Sequence, residues 1–177
     1  MEDSETPKVI ASSRRLILRE ATTEDDAFIL ALINQPAWHQ YIARHSITTH
    51  SQAKKYIQTR LVDSYRNNGV GLWVVETKLE RIPIGLCGFV KRPYLNGFDL
   101  GFALLPDYCG QGYAGEASRA CLDYAKGQPA FAKVLAITLP NNHGSIKLLE
   151  KLGFCYTSNF SHGETNEVVS LYEYENS

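Results

Sequence analysis

An α/β (α+β) fold, a mixed and mostly antiparallel sheet of six to seven strands flanked by four helices, is predicted by three features of this chain. Apolar and polar residues alternate with the period of a strand in several short segments, at residues 15–20, 72–77, 84–91 and 98–105 among others. Four other segments carry apolar residues at helical spacing. A glycine-rich stretch, Cys109-Gly110-Gln111-Gly112, separates a strand-like segment from a helix-like one.

Residues 1–13 are polar and expected to fray as a flexible tail, which leaves residues 14–177 as one domain. In the strand over 15–20, Leu16 and Leu18 share a face. Thr23 is expected to cap the first helix, where Asp25 and Asp26 favour the positive end of the dipole. Phe28, Ile29, Leu32 and Ile33 give that helix its apolar face, and it should stop near Asn34, ahead of Pro36. Residues 36–47 are aromatic-rich and read as irregular. A second helix opens near Thr49 or Ser51, buries Ala53, Tyr56, Ile57 and Leu61, and ends at Asn67-Asn68-Gly69.

Strands over 72–77, 84–91 and 98–105 follow as an antiparallel meander, the last entered through Asn96-Gly97. The third helix, over 112–126, has only small residues on its expected buried face, Ala114, Ala117, Cys121 and Ala125, so it can lie close against the sheet. Residues 133–139 form another strand. Asn142 caps a short helix with Ile146, Leu149 and Leu152 on one face and Gly153 at its exit. Strands over 154–157 and 168–174 finish the chain around a polar loop at 158–167.

Composition narrows the function. Eighteen basic residues against nineteen acidic give a net charge of -1, without the basic excess of a nucleic-acid binder. No apolar run approaches the ~18 residues needed to span a bilayer, so no membrane partner is expected. Residues 1–6 carry three acids and no apolar core of a secretory signal, so the expected location is cytoplasmic. Cys87, Cys109, Cys121 and Cys155 show no CxxC spacing and are read as free thiols. The five histidines form neither HxxxH nor HExxH, so no metal site is expected.

A strand, a glycine loop and a helix start together make an anion site. The first backbone N–H groups of a helix lack intrahelical acceptors, and the helix dipole favours negative charge there. Gly110 and Gly112 let the backbone curl around phosphate oxygens, and Gly115 falls in the first helical turn. An ordinary tight turn is the plain alternative. A Walker A loop is excluded, because no Gly-Lys-Ser/Thr ends the stretch. Gly110, Gly112 and Gly115 match GxGxxG literally, but the strand 133–139 carries no acid to meet a ribose, and too few elements follow for a doubly wound sheet.

The stretch from Leu104 to Ala117, with Gly112 and Ala114 in its loop, resembles the acetyl-CoA loop of the GNAT superfamily of N-acetyltransferases. Asn142-His143-Gly144-Ser145, the following Leu149-Glu150-Lys151-Leu152-Gly153-Phe154, and the opening Arg15-Leu16-Ile17-Leu18-Arg19 match as well. Together they resemble the ribosomal-protein alanine and serine N-acetyltransferase branch, over about residues 14–174. The resemblance implies acetyl-CoA as cofactor and a pair of parallel strands splayed at its site. The pantetheine arm is then expected along Phe102, Ala103 and Leu104, and the pyrophosphate on Cys109, Gly110, Gln111, Gly112, Tyr113 and Ala114. Asn142 is expected to meet the pantetheine arm, or else serves only as a helix cap. Cys109 stands where the superfamily often has Gln or Arg, and Leu149 where many members place a Tyr general acid. That points to Ser145 as the group beside the departing thiolate.

Acetyl transfer requires a neutral amine. At pH 7 an α-amine of pKa ~8 is roughly one-tenth neutral, whereas a lysine is neutral only about once in a few thousand. A carboxylate acting through water meets that modest demand, and Asp99, on the strand that leads to the loop, is the expected base, with a solvent-facing strand residue as the alternative. Trp38, Tyr41 and Trp73 are expected to line the acceptor pocket, with core packing as the alternative for each. The implied reaction is acetyl transfer from acetyl-CoA to a primary amine in a ternary complex, the leading acceptor being the α-amine of a protein or peptide N-terminus. A polyamine or aminoglycoside acetyltransferase and a non-catalytic CoA-binding sensor are the competing readings; a monomer and a homodimer both remain open.

Overall fold

The computed structural model describes residues 6–162 and 165–176. The chain begins with two short antiparallel strands, β1 (Val9–Ser12) and β2 (Leu16–Arg19). β1 lies within the segment expected to fray; residues 1–5 lie outside the described residues. Four residues are too few to show a period. Their order comes from the edge of β2 and from Ile10 and Ala11, which pack on the core.

The first helix, α1 (Asp26–Ile33), is preceded by a single 3-10 turn. Thr22, not Thr23, caps that turn: its hydroxyl accepts from the Glu24 amide at 3.3 Å, and Asp25 accepts from the Thr22 amide at 2.8 Å. A short helix, α2 (Pro36–Tyr41), then replaces the expected irregular stretch. Pro36 does not prevent it, because the first helical turn needs no donor from that residue and suits its fixed φ. The long second helix comprises α3 (His50–Tyr56), a π-helical middle (Ile57–Val62) and α4 (Asp63–Asn68). Thr49 caps it, and Gly69 ends it in the left-handed region at φ 73°.

The meander is formed by β3 (Leu72–Thr77), β4 (Pro83–Lys91) and β5 (Phe98–Leu104). Beyond it come α5 (Tyr113–Ala125), β6 (Lys133–Thr138), α6 (His143–Leu152), β7 (Cys155–Ser161) and β8 (Val168–Glu175). Among the described residues, eight strands join one sheet in the order β1-β2-β3-β4-β5-β6-β8-β7, and β1 raises the count above the expected six to seven. Every neighbouring pair is antiparallel except β5 and β6. The polar loop expected at 158–167 is partly strand, since β7 runs on to Ser161; residues 163–164 lie outside the described residues.

The period of two divides the core between the two faces of the sheet. Trp73, Cys87, Phe89 and Leu100 meet Ala117, Cys121 and Leu122 of α5 on one face. Val74 and Leu86 meet Ile29 and Leu32 of α1, Trp38 of α2, and Ile57 and Leu61 of the π-helical segment on the other. A buried ion cluster ties the start of α1 to the sheet: Arg19 forks onto Asp25 at 2.8 Å and reaches Glu76 at 2.9 Å. Burial opposes the Arg19 charge, but these two carboxylates outweigh it and raise the pKa above the ordinary arginine value.

Candidate active site

β5 and β6 run parallel but share a single register pair, Asp99 with Leu135. Beyond that pair the strands diverge, so Gly101–Leu104 face a gap rather than a partner strand. Phe102, Ala103 and Leu104, the residues expected to meet the pantetheine arm, lie along its edge and are all half-buried. Buried backbone polar groups need partners, so such an edge is competent to pair with an extended polar ligand.

Two helix starts flank the mouth of the gap. After Leu105, Pro106–Tyr108 makes one 3-10 turn, and Cys109 is extended. Gly110 and Gly112 then adopt φ 75° and 83°, the left-handed region in which only glycine is free of strain. Gly112 is the N-cap of α5, and its carbonyl accepts from the Glu116 amide at 3.0 Å. The amides of Tyr113, Ala114 and Gly115 precede the first intrahelical bond and are free for an anion. Gln111 turns its side-chain amide back onto the Asp107 carbonyl at 2.8 Å, and the Cys109 thiol points at the Leu105 carbonyl at 3.6 Å. The loop thus offers the curled backbone that a phosphate needs.

The second start is that of α6. Asn142 caps it, its side-chain oxygen accepting from the Ser145 amide at 3.3 Å. The capping alternative for Asn142 is therefore realised, and its side-chain N–H groups are left for other partners. Ser145 is half-buried in the first turn, and among the described residues its hydroxyl has no hydrogen-bond partner. The start of α5 lies against the middle of α6 where Gly115 meets Leu148: a Cβ at Gly115 would lie 3.3 Å from the Leu148 side chain. Leu149, at the position often held by a Tyr acid, is 1% exposed and belongs to the core.

Asp99 sits at the vertex of the gap. It alternates with Phe98 and Leu100, which pack on the α5 side, so it faces the side covered by α1–α3. Its side chain is sealed by Arg92, whose Nε donates to Oδ1 at 3.0 Å; the carboxylate is 2% exposed and the guanidinium group's side chain 32%. Burial pushes the Asp99 carboxyl up to about 6, against the pull of the Arg92 guanidinium. A carboxyl titrating there is ionised at neutral pH and basic enough to accept a proton. Arg92 also donates to the Tyr94 hydroxyl at 3.4 Å, and Tyr94 lies 2.7 Å from His162 Nε2. Sequence reasoning missed this brace, because Arg92 and Tyr94 belong to a turn and His162 to a distant hairpin.

The three aromatic candidates separate. Trp38 is 5% exposed on the same side of the sheet as Asp99, and its indole N–H meets no acceptor among the described residues. Tyr41 is half-buried at the end of α2. Trp73 lies on the opposite face, 1% exposed, edge-on to Phe89 and Tyr124 at 6.0 and 5.4 Å. That position corrects the expectation that Trp73 lines the acceptor pocket: on β3 its side chain alternates with Val74, so it is committed to the α5 side.

The family model described as Acetyltransferase (GNAT) domain matches residues 15–155. Among curated proteins, the chain is similar to the uncharacterized protein YkkB of Bacillus subtilis, 30% identical over 162 residues, covering 90% of this chain and 91% of YkkB. Among solved structures, it is similar to a Salmonella typhimurium acetyltransferase described as modifying the N-terminal serine of ribosomal protein L7/L12. That match has a TM-score of 0.80 at 15% identity, over 95% of this chain and 99% of the other. It is also similar to a ribosomal L7/L12 alpha-N-protein acetyltransferase, RimL, in complex with coenzyme A, with a TM-score of 0.72 at 14% identity, over 95% and 98% of the two chains. At these identities the solved structures speak to the fold.

Proposed function

Because this chain belongs to the GNAT acetyltransferase family, and is thereby an acetyl-CoA-dependent N-acetyltransferase, we propose that its acceptor is the α-amine of a protein or peptide N-terminus. One observation carries the choice of acceptor: Asp99, the carboxylate at the vertex of the β5–β6 gap, is buried and already paired with Arg92. Residues 36–49, which supply α2 and the chain after it, contain no acid. A site for a polyamine or aminoglycoside needs uncompensated negative charge to hold several ammonium groups. An α-amine needs only one proton removed, and its pKa of ~8 leaves little work for the base. The ribosomal N-terminal substrates named for two similar structures agree with this reading.

In this reading acetyl-CoA supplies the thioester. The amides of residues 110–114 hold its pyrophosphate, and the free edge at Phe102, Ala103 and Leu104 holds its pantetheine arm. Asn142 offers its side-chain N–H groups to the same arm. Asp99 takes the amine proton through a water, with Arg92 holding the carboxylate in place. Tyr41 lines the acceptor side, and Trp38 packs beneath it. Ser145 donates its hydroxyl proton's hydrogen bond to the CoA thiolate as the C–S bond breaks, aided by the dipole of α6.

Two measurements test the reading. Thiol release from acetyl-CoA is to be followed with peptides of varied N-termini, the same peptides with blocked N-termini, spermidine and an aminoglycoside. Turnover is expected with free N-terminal peptides and not with the blocked ones; turnover with the polycations alone would overturn the acceptor assignment. Ser145→Ala is expected to lower kcat by about 10²-fold, the loss of one transition-state hydrogen bond, with acetyl-CoA affinity little changed. An unchanged kcat would remove Ser145 from the mechanism.

A further inference from the structure

A carboxylate stands beside the loop proposed to hold the cofactor's phosphates. Glu116 lies in the first turn of α5, one residue beyond the free amides of 113–115. There the helix dipole attracts any anion, so an unscreened Glu116 competes with a bound phosphate for the same field. The β1–β2 turn takes hold of this carboxylate from three donors. The Ser13 hydroxyl and the Arg15 amide both donate to Oε1 at 2.7 Å, and Arg15 Nε donates to Oε2 at 2.7 Å. Burial would raise the Glu116 pKa, but these hydrogen bonds and the guanidinium charge outweigh it and hold the carboxyl below its ordinary value. Glu116 is therefore a fixed negative charge beside the loop, held by the β1–β2 turn.

The same guanidinium extends onto the loop. Its NH1 donates to the Gln111 carbonyl at 3.1 Å, and its carbon sits 4.3 Å above the Tyr113 ring. A Cβ at Gly112 would lie 3.4 Å from its NH2. Residues 109–114 contain no basic side chain of their own. Arg15 is 41% exposed in its side chain, and a pair so exposed adds little to stability. Its position is explained by charge at the loop. Resting on the placement of the pyrophosphate at 110–114, we infer that Arg15 is a positioning residue that screens Glu116 from the cofactor's phosphates and holds the loop open to them.

A double-mutant cycle of charge removal tests this, with CoA affinity read by calorimetry and KM for acetyl-CoA read against kcat. Arg15→Ala exposes the Glu116 charge and is expected to weaken CoA binding about tenfold, the effect of one unscreened charge at a helix terminus. KM rises with it, while kcat falls far less. Removing the charge as well, in the Arg15→Ala/Glu116→Gln double variant, is expected to restore affinity to within about threefold of the parent. A double variant as weak as Arg15→Ala overturns the inference, because a brace or a direct phosphate contact is not recovered by deleting its partner. Arg15→Lys, which keeps the charge and guards against a folding defect, is expected to retain most of the affinity; a loss equal to that of Arg15→Ala also overturns it. Gly112→Glu separates the two readings. If it leaves CoA affinity intact, the phosphate placement fails and this inference with it. If it removes affinity while the double variant stays weak, only the screening role fails.

Discussion

Gly112→Glu is expected to abolish CoA binding, by more than about 10²-fold, while the fold survives. Three effects add. Gly112 has φ 83°, where a residue with a Cβ is strained by about 1–2 kcal/mol. The new carboxylate reaches the free amides of α5 and occupies the anion position itself. Its charge then repels whichever phosphate remains nearby. The fold tolerates the change, because the Cβ meets only the flexible end of Arg15 and the strain is a fraction of a typical domain stability of about 5–15 kcal/mol. Gly112→Ala isolates the strain and is expected to cost about tenfold or less. Calorimetry with CoA, beside circular dichroism, decides the matter; a Glu variant that binds CoA as the parent does would show that the loop is not the phosphate site.

Asp99→Asn is expected to move the acid limb of the kcat/KM profile from about pH 6 to the pKa of the acceptor amine, ~8. Asp99 must be ionised to accept a proton, and its raised pKa places that ionisation near 6. The parent enzyme can therefore use the protonated amine down to that pH. The Asn variant has no acceptor for the proton and uses only the amine that is already neutral, about one part in a hundred at pH 6. Its deficit is expected to be roughly 10²-fold near pH 6 and to shrink to a few-fold by pH 9. Rates measured with an N-terminal peptide from pH 5.5 to 9 test this, and a profile parallel to that of the parent would exclude Asp99 as the base. The same shift carries a stability signature. A carboxyl whose pKa is raised on folding binds more protons in the native state, so stability falls as pH climbs from about 4 to about 6. The Asn variant is expected to lose that slope in urea titrations.

Much of this molecule was legible in local pattern. The strands β3, β4, β5, β6 and β8 lie where alternation places them, and Gly69 and Gly153 end helices in the left-handed region as their positions suggest. The glycine loop was legible for a physical reason: φ values near 75° and 83° are a demand of one residue, and only glycine meets it without strain. The cap of α6 by Asn142 is of the same kind, since donor and acceptor are three residues apart.

Side-chain roles that depend on distant partners were not legible. Trp73 and Trp38 look alike in the chain, yet the pairing of β3 in the sheet turns one to α5, while the short helix α2 presses the other onto the opposite face. Asp99 reads as an exposed strand residue until Arg92 closes over it, and its unusual proton affinity arises from that burial alone. Glu116 and Arg15 are 101 positions apart, and no period in the chain links them. Backbone conformation is dictated by neighbours a few residues away, so local sequence determines it; burial and charge pairing are set by which surfaces the sheet order brings together, and those only the folded chain creates.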